Sequence, residues 1–187
     1  MAIGLGIAAA AVAAVILVVL SGGDGDGNGA LPPTTSTAVT AQPSTTASPQ
    51  AVAEAVILDA YRKSWNAFIA VASDASAGGN DPRLTQNTAG NSLLARQASV
   101  ARLRSENRAY RGEIELHPRV VELSAITARV EDCNIDRTSV VDARTGQVVV
   151  PPSTQGAAVN ATLRLEGGVW KQVEFTDERR TCVPAAS

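Results

Sequence analysis

Apolar and polar positions divide this chain into three stretches with different periods. From Ile3 to Leu20 every residue is apolar or glycine. As a helix this run would be roughly 27 Å long, enough for the hydrocarbon core of a bilayer. From Ser21 to Gln50 the apolar positions thin out, and Gly-Asp repeats give way to Thr, Ser, Pro and Ala. Such a stretch cannot bury enough apolar surface to offset the cost of ordering, so it reads as a disordered linker. A coil of this length spans roughly 30 Å on average. From Ala51 onward the pattern is that of a folded domain.

That domain begins with a helical period. Ser48-Pro49 reads as N-cap and first helical residue. Val56/Ile57, Tyr61, Trp65, Phe68/Ile69 and Ala72 then recur at helical spacing. Asp81-Pro82 predicts a second, short helix to about Ala89. Gly90 suits its C-terminal turn, and Asn91 or Ser92 caps a third helix to about Glu106, where Asn107 can turn left-handed. After this the period becomes two. Tyr110 to Leu116 alternates, His117-Pro118 bends or bulges the strand, and Val120 to Leu123 resumes it. Ile126, Ala128 and Val130 alternate into Asp132-Cys133. Two short runs flank an Asp142 to Gly146 turn. Val159 to Leu165 and Val169 to Phe175 form a hairpin about Gly167-Gly168, with Val173 and Phe175 on one face and Trp170 on the other. Helices first and antiparallel strands after predict an α+β fold: three N-terminal helices packed on a curved antiparallel sheet. The segments are an anchor over 1–20, a linker over 21–50 and an α+β domain over 51–187.

Charge narrows the function classes. The net charge is −2, and Asp24 and Asp26 account for all of it. A domain with balanced charge gives no case for nucleic acid, which needs a concentrated basic face. Arg96, Arg102, Arg104, Arg108 and Arg111 make the third helix and its exit basic, and their angular spread reads as a solvated face. With His117 as the only histidine and two cysteines, the chain lacks ligands for a structural zinc site. No cofactor motif stands out. Cys133 and Cys182 either form a disulfide, which an extracytoplasmic setting favours, or remain two buried thiols.

The apolar start is longer than a signal-peptide core, and no basic residue precedes it. An uncleaved anchor is the preferred reading, with secretion after cleavage as the alternative. No cysteine follows the run to accept a lipid. Asp24, Asp26 and the export-type linker place the domain outside the cytoplasm.

Several segments resemble the nuclear transport factor 2-like superfamily, and more closely its exported, membrane-anchored actinobacterial members. They are Tyr61-Arg62-x-x-Trp65, the Thr127 to Cys133 strand, the Asp142-x-x-Thr145-Gly146 turn, and Leu163 to Lys171, with Cys182 completing the pattern. The likeness covers roughly Ala51 to Cys182. It implies a cone-shaped domain with a pocket between the first helix and the sheet, pairing of the two cysteines, and in some members a homodimer. Some members are dehydratases or isomerases; many bind ligands or scaffold assemblies, as the Mce-associated proteins do beside lipid importers.

The resemblance implies Trp65, Phe68 and Tyr61 as pocket lining. It implies Asp132, with Tyr61, as the candidate acid–base pair of an enzyme, since such work needs a titratable group with a shifted pKa inside the pocket. The plainer reading of Asp132 is a strand-end carboxylate bonding backbone or an arginine, and that of Tyr61 is core packing. His117, before a proline, reads as an edge residue, and Asp59 lies on the first helix outside the apolar stripe. The expected function is a non-enzymatic membrane-tethered envelope protein that binds a small apolar ligand or a partner protein. The alternative is a dehydratase or isomerase.

Overall fold

The computed structural model describes residues 48–184, excluding the side chain of Arg179. The anchor expected over 1–20 and most of the linker lie outside the described residues. Among the described residues, no helix is long and apolar enough to cross a membrane.

Helix α1 spans Pro49–Ser73, and the Ser48 hydroxyl accepts from Ala51 N at 3.2 Å, as its N-cap position predicts. Its other end is closed from a distance. Arg104 donates to the carbonyls of Val71, Ala72 and Asp74 at 2.8, 3.2 and 2.8 Å, covering orphan oxygens of the helix end, and to Ala77 O in the following loop at 2.7 Å. Helix α2 spans Gly90–Ser105 and stops at Asn107, whose φ is 54°.

The second, short helix expected between them is absent, so two helices form where three were expected, and this corrects the fold. Only a 3-10 turn forms, at Pro82–Thr85, capped by Asp81. The residues after it are drawn to the last strand. Ala89 N donates to Gln172 O at 3.0 Å, Gln172 N donates to Asn87 O at 2.9 Å, and Thr88 is buried between them. Backbone groups spent on a strand cannot also close helical turns. Gly90 then opens α2 at φ 55°, where a Cβ would lie 3.1 Å from Val173 O.

The strands are β1 (Arg108–Arg111), β2 (Ile114–Glu115), β3 (Arg119–Leu123), β4 (Thr127–Asp136), β5 (Ser139–Asp142), β6 (Val148–Val150), β7 (Gly156–Glu166) and β8 (Val169–Cys182). The single curved sheet of the sequence reading is replaced by two antiparallel sheets. One has the order β1-β5-β6. The other has the order β2-β4-β7-β8, with β3 also on β4. The sheets meet at Gly112 (φ 118°), where a Cβ would lie 2.5 Å from Arg137 O. β2 and β3 lie along the same edge of β4, broken at His117-Pro118 as expected.

A bulge in β8 changes the facing of its side chains. Thr162 pairs with Glu174 and Leu163 with Gln172, so Val173 is the extra residue. Trp170 and Phe175 therefore both pack against the core, not on opposite faces. The core joins α1 (Ile57, Tyr61, Trp65, Phe68), α2 (Val100, Leu103) and the inner face of β4 and β7 (Ala128, Val130, Ala161, Leu163).

Cys133 and Cys182 form a disulfide with Cα atoms 5.8 Å apart. It ties β4 to the end of β8 across β7 at Gly156. A Cβ on Gly156 would lie 2.6 Å from Cys182 O and 2.9 Å from Cys133 Sγ. Gly156→Ala should therefore destabilise the domain by about 1–3 kcal/mol through overpacking. Thiol titration during refolding should show slower disulfide formation in that variant than in wild type.

Candidate functional site

Two groups of buried side chains lie between α1 and the large sheet. The first centres on Asp132. Its phase on β4 matches Ala128 and Val130, so its side chain turns inward and is 6% exposed. Tyr61, fully buried on α1, donates its hydroxyl to Asp132 Oδ2 at 2.8 Å. His117 N donates to Oδ1 at 2.6 Å. One carboxylate thus fixes both the helix and the strand break at His117-Pro118. The His117 ring lies against Glu115, with Nε2 2.9 Å from Oε1. Asp59 is on the exposed face of α1 in an ion pair with Lys63.

Burial pushes the Asp132 carboxyl above its ordinary range, and the bonds from Tyr61 and His117 N oppose that shift. Burial, and next the charge of Asp132, hold the Tyr61 phenol far above its usual range. A carboxyl with a raised folded pKa binds protons more tightly in the native state, so its contribution to stability falls as pH rises through that range. Asp132→Asn should remove that falling component from the ordinary carboxylate range upward, read by urea unfolding at a series of pH values. Tyr61→Phe leaves Oδ2 without its donor and should cost about 1–3 kcal/mol.

The second group is a cavity of about 270 Å³. Trp65 and Phe68 of α1, Tyr110 of β1 and Phe175 of β8 supply its aromatic wall. The rings meet edge to face, with centroids 6.2 Å apart for Trp65–Phe68, 5.9 Å for Trp65–Phe175 and 6.0 Å for Phe68–Tyr110. Arg96 of α2 forms part of the same wall, its guanidinium carbon 4.9 Å from the Trp65 ring centre. Asp136 and Asp177, both solvent-exposed, lie along the outer part.

The structure brings Tyr61 to Asp132, and Trp65 to Phe68, and the Tyr61 and Trp65 rings meet edge to face, yet only Trp65 and Phe68 of the four border the aromatic cavity. Neither Tyr61 nor Asp132 lines the aromatic cavity. Asp132 borders a separate cleft of about 350 Å³ with His117, Arg119 and the disulfide. With both carboxylate oxygens bonded internally and Tyr61 sealed from solvent, the pair is built to hold α1 on the sheet. Among the described residues, no cluster of His, Cys, Asp or Glu could hold a metal ion.

Sequence reasoning missed three walls of the cavity: Tyr110, Phe175 and Arg96. The signal for Arg96 was present. It lies four residues after Ser92 and four before Val100, in the stripe that α2 buries. Arg96 and Arg104 therefore leave the solvated basic face that the sequence reading assigned them.

No protein-family model matches this chain, and no curated protein sequence matches it at a significant level. Among solved structures, the chain is similar to the intermembrane space region of chloroplast protein ARC6. The TM-score is 0.46 and the identity 14%, over 64% of this chain and 91% of that one. A likeness at that level carries no argument about this chain's activity.

Proposed function

We propose that this is a non-enzymatic binding domain of the cell envelope, which holds a small, largely apolar molecule between α1, α2 and the sheet. The observation that carries this reading is the cavity walled by Trp65, Phe68, Tyr110 and Phe175. Ligand sites are concave and mainly apolar, with a few placed polar groups. Its volume lies just under the usual range of roughly 300–1,000 Å³, which suits a small occupant.

The Cys133–Cys182 disulfide suggests an extracytoplasmic domain, because such bonds persist in oxidising compartments. The apolar run Ile3 to Leu20 supports a single-pass membrane tether for it. An acid–base enzyme is the weaker reading, because the Tyr61–Asp132 pair does not border the aromatic cavity. Native mass spectrometry of the full chain isolated gently from its own host tests the proposal. A retained small-molecule mass that disappears in Trp65→Ala supports it. A bare chain in every preparation overturns it.

A further inference from the structure

Arg96 is 2% exposed, yet forms no ion pair with any described carboxylate. Its polar partners are all neutral. Nη1 donates to the Ser64 carbonyl and to Thr88 Oγ1 at 3.2 Å, and Nη2 donates to Gln172 Oε1 at 3.0 Å and to Ser64 Oγ at 3.4 Å. Nε is buried with no partner among the described residues. Burial pushes the guanidinium down to about 10, which leaves it charged at neutral pH. A buried charge solvated by dipoles but not neutralised is costly. An uncharged residue in the same stripe of α2 would avoid that cost, so the charge calls for a use.

The position of Arg96 points to the use. Its guanidinium carbon lies 4.9 Å from the Trp65 ring centre and 5.5 Å from that of Phe68. The same two rings and Arg96 line the aromatic cavity, and among the described residues Arg96 is the only basic one that does. A counter-charge from outside the protein would therefore arrive through the cavity. The outer part carries the opposite sign at Asp136, which is exposed and fixed by Thr138 N and Thr138 Oγ1 on its Oδ1. The cavity is thus ordered from a buried cation, past aromatic faces, to an exposed anion.

We propose that the cavity selects a small, ring-sized molecule whose anionic group, a carboxylate or similar, lies against Arg96 and whose opposite end is uncharged or cationic. This rests on the cavity being a ligand site. Attraction to the desolvated guanidinium, whose Nε is the donor left without a partner among the described residues, supplies the preference for the anion, and Asp136 disfavours a second negative charge at the mouth.

Four single-ring probes test it on the full chain by NMR titration, followed at the Trp65 indole signal: benzoate, benzyl alcohol, benzylamine and 4-(aminomethyl)benzoate. Both carboxylates should bind about tenfold tighter than the alcohol and the amine. Asp136→Asn, an exposed change that keeps the Oδ1 acceptor, should tighten benzoate and not 4-(aminomethyl)benzoate. If the alcohol or the amine binds as well as benzoate, the anion preference is wrong while the binding site stands. If Asp136→Asn changes neither affinity, the charge order of the cavity is wrong. If no probe moves the Trp65 signal, the binding reading and this inference fall together.

Discussion

Reducing the Cys133–Cys182 disulfide should lower the stability of the domain by about 4 kcal/mol in the chain-entropy model. The bond closes a loop of 49 residues, which contains the end of β4, the small sheet's β5 and β6, and all of β7 and β8. Without it the unfolded chain regains the freedom of that loop. The native state also loses its clip at the far end of β8, which otherwise rests on pairing with β7 alone. Domains are stable by about 5–15 kcal/mol in total, so the loss is a large share. Urea unfolding with and without reductant, and of the Cys133→Ser/Cys182→Ser double variant, reads it directly. A difference under about 1 kcal/mol would mean that strain or residual structure cancels the constraint.

Trp65→Ala is the second large effect. Trp65 is buried and meets Tyr61, Phe68 and Phe175 edge to face, at 6.5, 6.2 and 5.9 Å. Truncating a core Trp costs about 3–5 kcal/mol through lost burial and the void left behind. Here the same change also removes the ring under the Arg96 guanidinium, so a buried cation loses a favourable face. The measured loss should lie at the upper end of that range. Trp65→Phe keeps an aromatic face and should lose less than half as much. Comparing the two by denaturant unfolding separates the ring from its size. Equal losses would show that the aromatic face contributes nothing at Arg96.

Much of the local structure was legible in the sequence because local chemistry decides it. Ser48-Pro49 starts α1, Asn107 ends α2, His117-Pro118 breaks the edge strand, and Gly167-Gly168 turns the last hairpin, each through a backbone preference of the residues themselves. The misses have tertiary causes. The expected second helix failed because Asn87 to Ala89 bond Gln172, a strand more than 80 residues away in sequence. The two-sheet arrangement depends on a corner at Gly112, which an alternating pattern does not reveal. The Val173 bulge turned Phe175 and Trp170 to the same side, because one inserted residue reverses the phase of everything after it.

The site was legible in part for the same reason. Asp132 and Tyr61 were placed inward by their periods, and the structure joins them. Of the three residues expected in a pocket wall, Trp65 and Phe68 line the aromatic cavity and Tyr61 does not. That Tyr61 and Asp132 do not border this cavity could not be read from either period. Arg96 was hidden by its residue type. Leu94 is apolar yet 63% exposed, while the buried stripe of α2 runs through Ser92 and Arg96. A polar residue in a buried phase is the signal to look for.

A binding site in the aromatic cavity would be reported by the fluorescence of Trp65, which lines it. The chain has two tryptophans, so Trp170→Phe leaves Trp65 as the sole reporter. The full-length variant would be titrated with small-molecule extract from its own host. A saturable shift in Trp65 emission, abolished by prior unfolding, is the predicted result. Emission that stays unchanged throughout the titration would mean that the cavity is not a binding site.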